Sequence, residues 1–282
     1  QHEEYFAAAC VDLSGAPETQ VWMYSSLEGG ANRGGGRSRG GDGERDLDGS
    51  GLGGGGRRGP SRGGDGAGED GAIELAVALL REVAAIAAEE GYAGAEGVGV
   101  GGNKVLVGTL HESVRQGLLR WGVAMKNPAV VSAGLEWEFC GKWLFRLEDL
   151  PAAAAAGQLP GGMRWDRVRK GDVGVVKART SIDREAATLL MLPSTAVRLD
   201  DGMPVAWGFM GKWFDGSIMT VHVEEPYRRL GLAKALAAKL MREHLLDYGD
   251  DGWGAADVFD GNYKSEAMCR SIGGRRAWTV SW

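Results

Sequence analysis

A glycine-containing turn near the carboxyl end of the chain has the residue types needed to bind a phosphate. The segment RRLGLAK, residues 228–234, lies between a predicted strand and a predicted amphipathic helix. Such a turn presents backbone N–H groups at the positive end of the helix, and Gly231 permits close approach to the backbone. The sequence therefore predicts a pyrophosphate site at residues 228–234, although an ordinary helix start is the competing interpretation.

The same region offers groups that could accept a proton. His222 lies on the strand that precedes the turn, and an imidazole titrates near neutral pH. It could act as a base directly or through water, or it could be a packed histidine of the sheet. Glu224, Glu225 and Asp215 are further candidates, with a solvated loop carboxylate as the alternative for each.

Two motifs in this region resemble those of the GCN5-related N-acetyltransferase (GNAT) superfamily. Arg228, Gly231 and Ala233 fit its pattern of Arg or Gln, two residues, Gly, one residue, and Gly or Ala. The second motif is an Asn followed by a small, an apolar and a glycine residue, matched by Asn262, Ser265, Met268 and Gly273. The resemblance covers residues 163–282 and is greatest to glycine N-acyltransferase-like and FR47-like members, which share the pair Ala206 and Trp207.

The resemblance implies a set of site residues. The residues expected to bind acyl-coenzyme A are Val221, His222, Val223, Arg228, Arg229, Leu230, Gly231, Leu232, Ala233, Lys234, Asn262 and Ser265. Ser217 stands where several relatives carry a glutamate base, and Cys269 stands where many carry a tyrosine acid. The predicted catalytic residues are therefore His222, Ser217 and Cys269, with Ser217 unable to act as a base alone.

The implied activity is transfer of an acetyl or other acyl group from coenzyme A to a primary amine of a small molecule or amino acid. Direct attack in a ternary complex suffices, because a thioester is activated and a thiolate with a pKa of about 8.5 leaves readily. Strand N–H groups near Val221–Val223 would polarise the thioester carbonyl. The expected co-substrate is acetyl-CoA or another acyl-CoA, with no metal. The missing glutamate and tyrosine keep open a non-catalytic acyl-CoA sensor or scaffold.

A glycine-rich segment at residues 29–71 predicts a disordered insertion, because it has too little apolar area to offset the entropy of ordering. An arginine–glycine tract that binds RNA is the alternative. Seven arginines are balanced there by seven acidic residues, and no aromatic residue is available for stacking. With a net charge of −6 for the whole chain, a nucleic-acid partner is not expected.

Periodicity and turn signals predict an α+β fold, with a mixed, mostly antiparallel sheet flanked by helices at residues 160–282. Residues 1–159 are predicted to form an α/β amino-terminal part, with helices at residues 73–90 and from Thr109. The resemblance to two-part members of the family implies that this part is a degenerate repeat of the same fold. Thr109 and Glu112 have the spacing of a capping box. The segment 172–192 is expected to be largely helical, and residues 135–147 to form a strand of the amino-terminal part.

The cysteines and apolar segments suggest a location. Three widely separated cysteines without a paired spacing are typical of a reduced protein. No apolar stretch approaches the roughly 18 residues of a membrane span, and the first residues lack the basic region of a secretory signal. We therefore expect a cytoplasmic protein without a membrane partner.

Overall fold

The computed structural model describes residues 6–12, 20–28, 66–89, 106–125, 139–151, 159–180, 182, 184–211 and 216–281. The chain forms two compact units, residues 1–125 and residues 126–282. The sequence predicted a boundary near Leu159, because Pro151 and the alanines that follow it, up to Gly157, are typical of a linker or a short surface helix.

The amino-terminal unit contains a small sheet and two helices. Its elements in chain order are β1 (Ala7–Asp12), β2 (Gln20–Ser25), α1 (Gly66–Glu89), β3 (Leu106–Gly108), β4 (Leu110–His111) and α2 (Glu112–Arg120). β2 pairs antiparallel with β1 and parallel with β3. Met23, Ala76, Leu110, Val114 and Leu118 form the buried core of this unit.

The start of α2 differs from the prediction. Thr109 was expected to cap the helix, but it has a positive φ of 51° and precedes the cap by two residues. The cap is His111, whose Nδ1 accepts a hydrogen bond from the backbone N–H of Ser113 at 3.1 Å. His111 is buried, and burial lowers its pKa, with Glu112 opposing this effect. This histidine therefore has a structural role as the helix cap.

The carboxyl-terminal unit contains seven strands and four α-helices among its described residues. They are β5 (Phe139–Arg146), β6 (Met163–Asp166), α3 (Val173–Ala178), α4 (Ala186–Met191), β7 (Ser194–Leu199), β8 (Pro204–Met210), β9 (Ile218–Val223), α5 (Leu232–His244), β10 (Trp253–Phe259), α6 (Tyr263–Ser271) and β11 (Arg275–Ser281).

These strands form two antiparallel arrays. β6, β7, β8 and β9 pair in that order, while β5 lies between β10 and β11. The arrays are joined by one parallel bridge between Ser217 and Ala255. Helices cover both faces of β8 and β9. α3 and α4 pack over Trp207 and Phe209 on one face, and α5 packs on the other face.

The predicted α+β class, with mostly antiparallel sheets flanked by helices, is confirmed. Three details differ. Strand β5 pairs with β10 and β11, so it belongs to the carboxyl-terminal unit. The segment 172–192 forms two six-residue helices rather than one longer element. Residues 66–71, which the sequence placed in the disordered insertion, begin α1, while residues 29–65 lie outside the described residues.

Candidate functional site

A β-bulge in β9 determines where His222 points. In the pairing of β8 with β9, Trp207 faces His222 and Phe209 faces Met219, so Gly208 alone opposes Thr220 and Val221. Thr220 has a φ of 53°, which is uncommon for a β-branched residue. A bulge reverses the alternation of side chains along a strand, so Met219 and His222 lie on one face although they are three residues apart.

The opposite face of the bulge requires a glycine. A Cβ on Gly208 would lie 2.6 Å from Cδ2 of Leu236 and 3.2 Å from Cγ2 of Val221. Leu236 belongs to α5, so Gly208 lets this helix pack closely over the bulge. Packing of α5 thereby fixes the position of the strand end that carries His222.

β9 and β10 are bridged at Ser217 and Ala255 and share no further bridge among the residues the structure describes. The edge of β9 beyond Ser217 is therefore not paired with β10. Glu224 donates its backbone N–H to the carbonyl of Val205 on β8 at 2.9 Å. Because hydrogen-bonded and non-hydrogen-bonded pairs alternate in an antiparallel ladder, the backbone groups of Val223 point towards the opposite edge of β9.

The turn after β9 ends in an open helix start. A 3-10 turn at Glu225–Tyr227 leads to Arg229 and Gly231, which have positive φ angles of 65° and 78°. Gly231 is the N-cap of α5, and no side chain caps the helix. Apart from the adjacent residues, no atom of the described part of the chain lies within 4 Å of the position that a Cβ on Gly231 would occupy. Successive turns of this kind direct N–H groups outwards, which suits an anion.

The side chains of this turn have different environments. Arg228, Arg229, Leu230 and Lys234 are exposed, whereas Leu232 is buried against the sheet and Ala233 is half-buried. Nε of Arg228 donates a hydrogen bond to the carbonyl of Val223 at 3.0 Å, which leaves its remaining N–H groups directed to the exposed side. The cationic side chains of Arg228, Arg229 and Lys234 therefore lie in the segment that forms the open helix start, and cations favour binding of a phosphate.

His222 lies against an aromatic ring and near a carboxylate. Its imidazole stacks on the indole of Trp207 with centroids 4.7 Å apart and ring planes 21° apart. Its Nε2 is 3.8 Å from Oε2 of Glu224, too long for a hydrogen bond. Glu224 in turn accepts a hydrogen bond from Nε of Arg179 at 2.9 Å. Nε2 of His222 is buried without a hydrogen-bond partner among the described residues.

The pKa of His222 is lowered, first by burial and further by the positive charges of Arg228 and Arg179, while Glu224 opposes the shift. A lowered pKa keeps the imidazole neutral at pH 7. A neutral imidazole with an unoccupied nitrogen can accept a proton, so its charge state suits a general base.

The structure does not bring the other two predicted catalytic residues to His222. Ser217 is buried at the opposite end of β9, beside the bridge to β10. Cys269 is fully buried in the core that includes Trp143 and Leu240, and burial raises its pKa to about 12. Its position among apolar side chains favours a packing role for Cys269 over the predicted role as an acid.

Asn262 and Ser265 lie at the start of α6. Oδ1 of Asn262 accepts a hydrogen bond from the backbone N–H of Ser265 at 3.2 Å, so Asn262 is the N-cap of this helix. Both side chains retain exposed surface. Among the other base candidates, Glu225 is exposed in the turn and Asp215 lies outside the described residues.

Sequence reasoning missed the bulge, the Trp207 stack and the link between Glu224 and Arg179. The pair Ala206–Trp207 was noted only as a shared motif, because its contact with His222 requires the register of β8 on β9. Arg179 and Glu224 are 45 residues apart, and no local pattern connects them. Within the described ranges, no group of three His, Cys, Asp or Glu side chains could hold a metal ion, and no helix is long and apolar enough to cross a membrane.

Comparison with family models gives a match in the amino-terminal part of the chain. Residues 1–136 match the family model described as the acyl-CoA N-acyltransferase verG N-terminal domain. No curated protein is significantly similar to the sequence.

Several solved structures are similar to the chain. A Drosophila structural genomics protein has 20% identity and a TM-score of 0.48, over 62% of this chain and 58% of its own. GCN5-related N-acetyltransferases from Kribbella flavida and Sphaerobacter thermophilus have identities of 16% and 14% and TM-scores of 0.38 and 0.44. They cover 60% and 61% of this chain, and 71% and 56% of their own chains. The chain thus spans less than two thirds of the Drosophila and Sphaerobacter proteins.

Proposed function

We propose that this chain is an acyl-CoA N-acyltransferase, whose carboxyl-terminal unit binds acyl-CoA and transfers the acyl group to a primary amine. The match of residues 1–136 to the amino-terminal domain of an acyl-CoA N-acyltransferase family supports this proposal. The family match supports the GNAT resemblance that the sequence predicted. Acceptors with a small-molecule or amino-acid amine fit the proposal. The observation that carries it is the open start of α5, placed directly after the strand that presents His222.

The pyrophosphate of coenzyme A is assigned to residues 228–234. Left-handed Arg229 and Gly231 direct backbone N–H groups outwards, and α5 adds the positive end of its dipole. His111 caps α2 and Asn262 caps α6, whereas α5 and the six-residue helices α3 and α4 have no side-chain cap. α5 therefore offers donors that the chain itself does not use.

The thioester is assigned to the unpaired edge of β9. The pantetheine arm would extend from the turn along this edge, towards Asn262 and Ser265 at the start of α6. Backbone N–H groups at Val221–Val223 would polarise the thioester carbonyl, with Val223 best placed because its backbone groups point away from β8.

The chemistry then requires one base. The amine nitrogen attacks the thioester carbonyl carbon, a C–N bond forms, the C–S bond breaks, and coenzyme A leaves as a thiolate. The amine proton passes to Nε2 of His222, which is neutral and unoccupied. Because the acidity of the amine rises as the C–N bond forms, a base with a lowered pKa suffices. Glu224, held by Arg179, lies close enough to stabilise the resulting imidazolium.

The decisive test is coenzyme A binding by Gly231→Glu, measured by calorimetry. The new side chain strains the positive φ and places a negative charge where the pyrophosphate would lie. We expect the Kd to rise tenfold or more, equivalent to at least about 1.4 kcal/mol. Gly162→Glu is the matched control, because Gly162 has a φ of 76° in an exposed turn elsewhere in the same unit.

Unchanged affinity in Gly231→Glu would exclude the assigned pyrophosphate site. Release of free thiol from acetyl-CoA in the presence of a panel of amines tests the activity separately. Binding without thiol release for any amine and any acyl chain length would contradict an acyltransferase, while leaving the coenzyme A site intact.

A further inference from the structure

Trp207 carries a cost that its role in the core does not explain. It is fully buried at 0% exposure, yet its indole Nε1 has no hydrogen-bond partner among the described residues. A buried donor without a partner costs about 1–3 kcal/mol. Phe209, two residues along on the same face of β8, is equally buried in the same cluster without such a donor. An apolar ring would therefore fill this space at lower cost.

The indole instead contributes a large flat surface to His222. Trp207 and His222 are cross-strand partners, and their rings are stacked rather than edge-on. Stacked aromatic pairs are stabilised by about 0.5–1.5 kcal/mol beyond the area they bury. Stacking also restricts rotation of the imidazole, because any other rotamer would leave the indole face.

The stack depends on the bulge. Met219 packs in the cluster of Trp207, whereas Ile218, Val221 and Val223 pack in the clusters on the opposite face. Without the extra residue at Thr220, strand alternation would direct His222 to the face of α5, away from Trp207. The strained φ of Thr220 is thus coupled to the contact between the two rings.

We propose that Trp207 is a positioning residue, whose indole fixes the orientation of the His222 ring at the acyl-transfer centre. This inference rests on the proposed function, in which His222 is the base. The charged groups around the ring are Glu224 beyond the strand end, Arg228 in the following turn, and Arg179 at the end of α3. Trp207 is the uncharged surface that shields the ring from water on its buried side.

Two substitutions separate positioning from packing. Trp207→Leu fills part of the core but removes the flat surface, and Trp207→Phe retains an aromatic face. We expect Trp207→Leu to lower kcat about tenfold or more with unchanged coenzyme A affinity. Trp207→Phe should recover most of this loss. Phe209→Leu is the control, because it removes a ring from the same cluster without touching His222.

NMR titration of His222 gives a readout independent of turnover. Trp207→Leu should bury the imidazole less, which makes its protonated form less costly. The pKa of His222 should therefore rise towards its ordinary value in Trp207→Leu and stay unchanged in Phe209→Leu. An unchanged titration and equal losses of kcat in the two leucine variants would overturn the positioning role, even if His222 is the base. Full turnover in His222→Ala would instead show that His222 is not the base, and the positioning role of Trp207 would then be excluded as well.

Discussion

Arg198 is buried and His222 is half-buried in the same four-stranded array, and their nitrogens differ in how many hydrogen bonds they make. Arg198 is 2% exposed and donates hydrogen bonds to Asp166, to Asp172 and to two backbone carbonyls. His222 is 18% exposed, and its Nε2 has no hydrogen-bond partner among the described residues, with Glu224 at 3.8 Å. A satisfied network indicates a role in stability, whereas an unoccupied nitrogen at a strand end indicates a place for a ligand.

The Arg198 cluster is tied to the start of α3. Asp172 immediately precedes this helix, and its Oδ2 also accepts a hydrogen bond from the backbone N–H of Arg169 at 2.6 Å. The cluster therefore anchors the entry of α3 to β7. α3 covers Trp207 and is followed by Arg179. The Arg198 cluster therefore supports the helix that packs beside His222.

The largest expected effect is the loss of turnover when His222 is replaced. His222→Ala should lower kcat by about 10²–10⁴ while coenzyme A affinity stays the same, because proton transfer is lost and the binding turn is untouched. Calorimetry and single-turnover kinetics measure the two quantities separately. The competing interpretation, a packed core histidine, predicts wild-type turnover across pH 6–9.

The pH profile of the wild-type enzyme sharpens the same test. Burial lowers the pKa of His222 below 6.5, so most of the imidazole is neutral at pH 7. The rate should therefore be level near neutrality and fall only as the pH drops below 6.5. If the fall in rate at low pH persists in His222→Ala, it arises from the titration of another group.

The distinction between the two residues could not be drawn from the sequence. Periodicity and turn signals predicted the α+β class and the strand that carries His222, because those signals are local. The network of Arg198 joins residues up to 32 positions apart, and the orientation of His222 depends on one extra residue in the register of β9. Thr220 carries no sequence signal for a positive φ. The binding turn was predictable because its glycine and cations are contiguous.

The substitution Arg198→Met tests whether the hydrogen-bonded network of Arg198 stabilises the fold. Removing one partner of a buried ion pair leaves carboxylates uncompensated, and we expect a loss of about 3–5 kcal/mol in the free energy of unfolding. Urea denaturation measures it. Arg164→Met is the control, because Arg164 is the exposed cross-strand neighbour of Arg198 and should cost less than about 1 kcal/mol. Wild-type stability in Arg198→Met would show that the Arg198 network does not stabilise the fold.

A smaller effect concerns the pH dependence of that stability. Burial by itself raises the pKa of Asp166 and Asp172, but their hydrogen bonds and the positive charges of Arg169 and Arg198 outweigh it and lower both pKa values below 3.8. Stability from these carboxylates is present above pH 3.8 and is lost as the pH falls through the lowered pKa values. The difference between wild type and Arg198→Met should therefore shrink below about pH 4. A constant difference from pH 6 to pH 3 would show that the carboxylates do not depend on Arg198.

The smallest expected effect tests a residue that the sequence placed in the site and the structure places in the core. Cys269 has a pKa raised to about 12 by burial, so it remains a thiol at neutral pH and packs like a small apolar side chain. Cys269→Ala should cost about 1 kcal/mol of stability for the lost atom and leave kcat unchanged. Cys140→Ala, buried on β5 of the same unit, should behave alike. A fall in kcat specific to Cys269→Ala, with equal thermal stability in the two variants, would show that the thiol acts in the reaction. Because the departing coenzyme A thiolate needs no acid, we expect the two alanine variants to be kinetically indistinguishable.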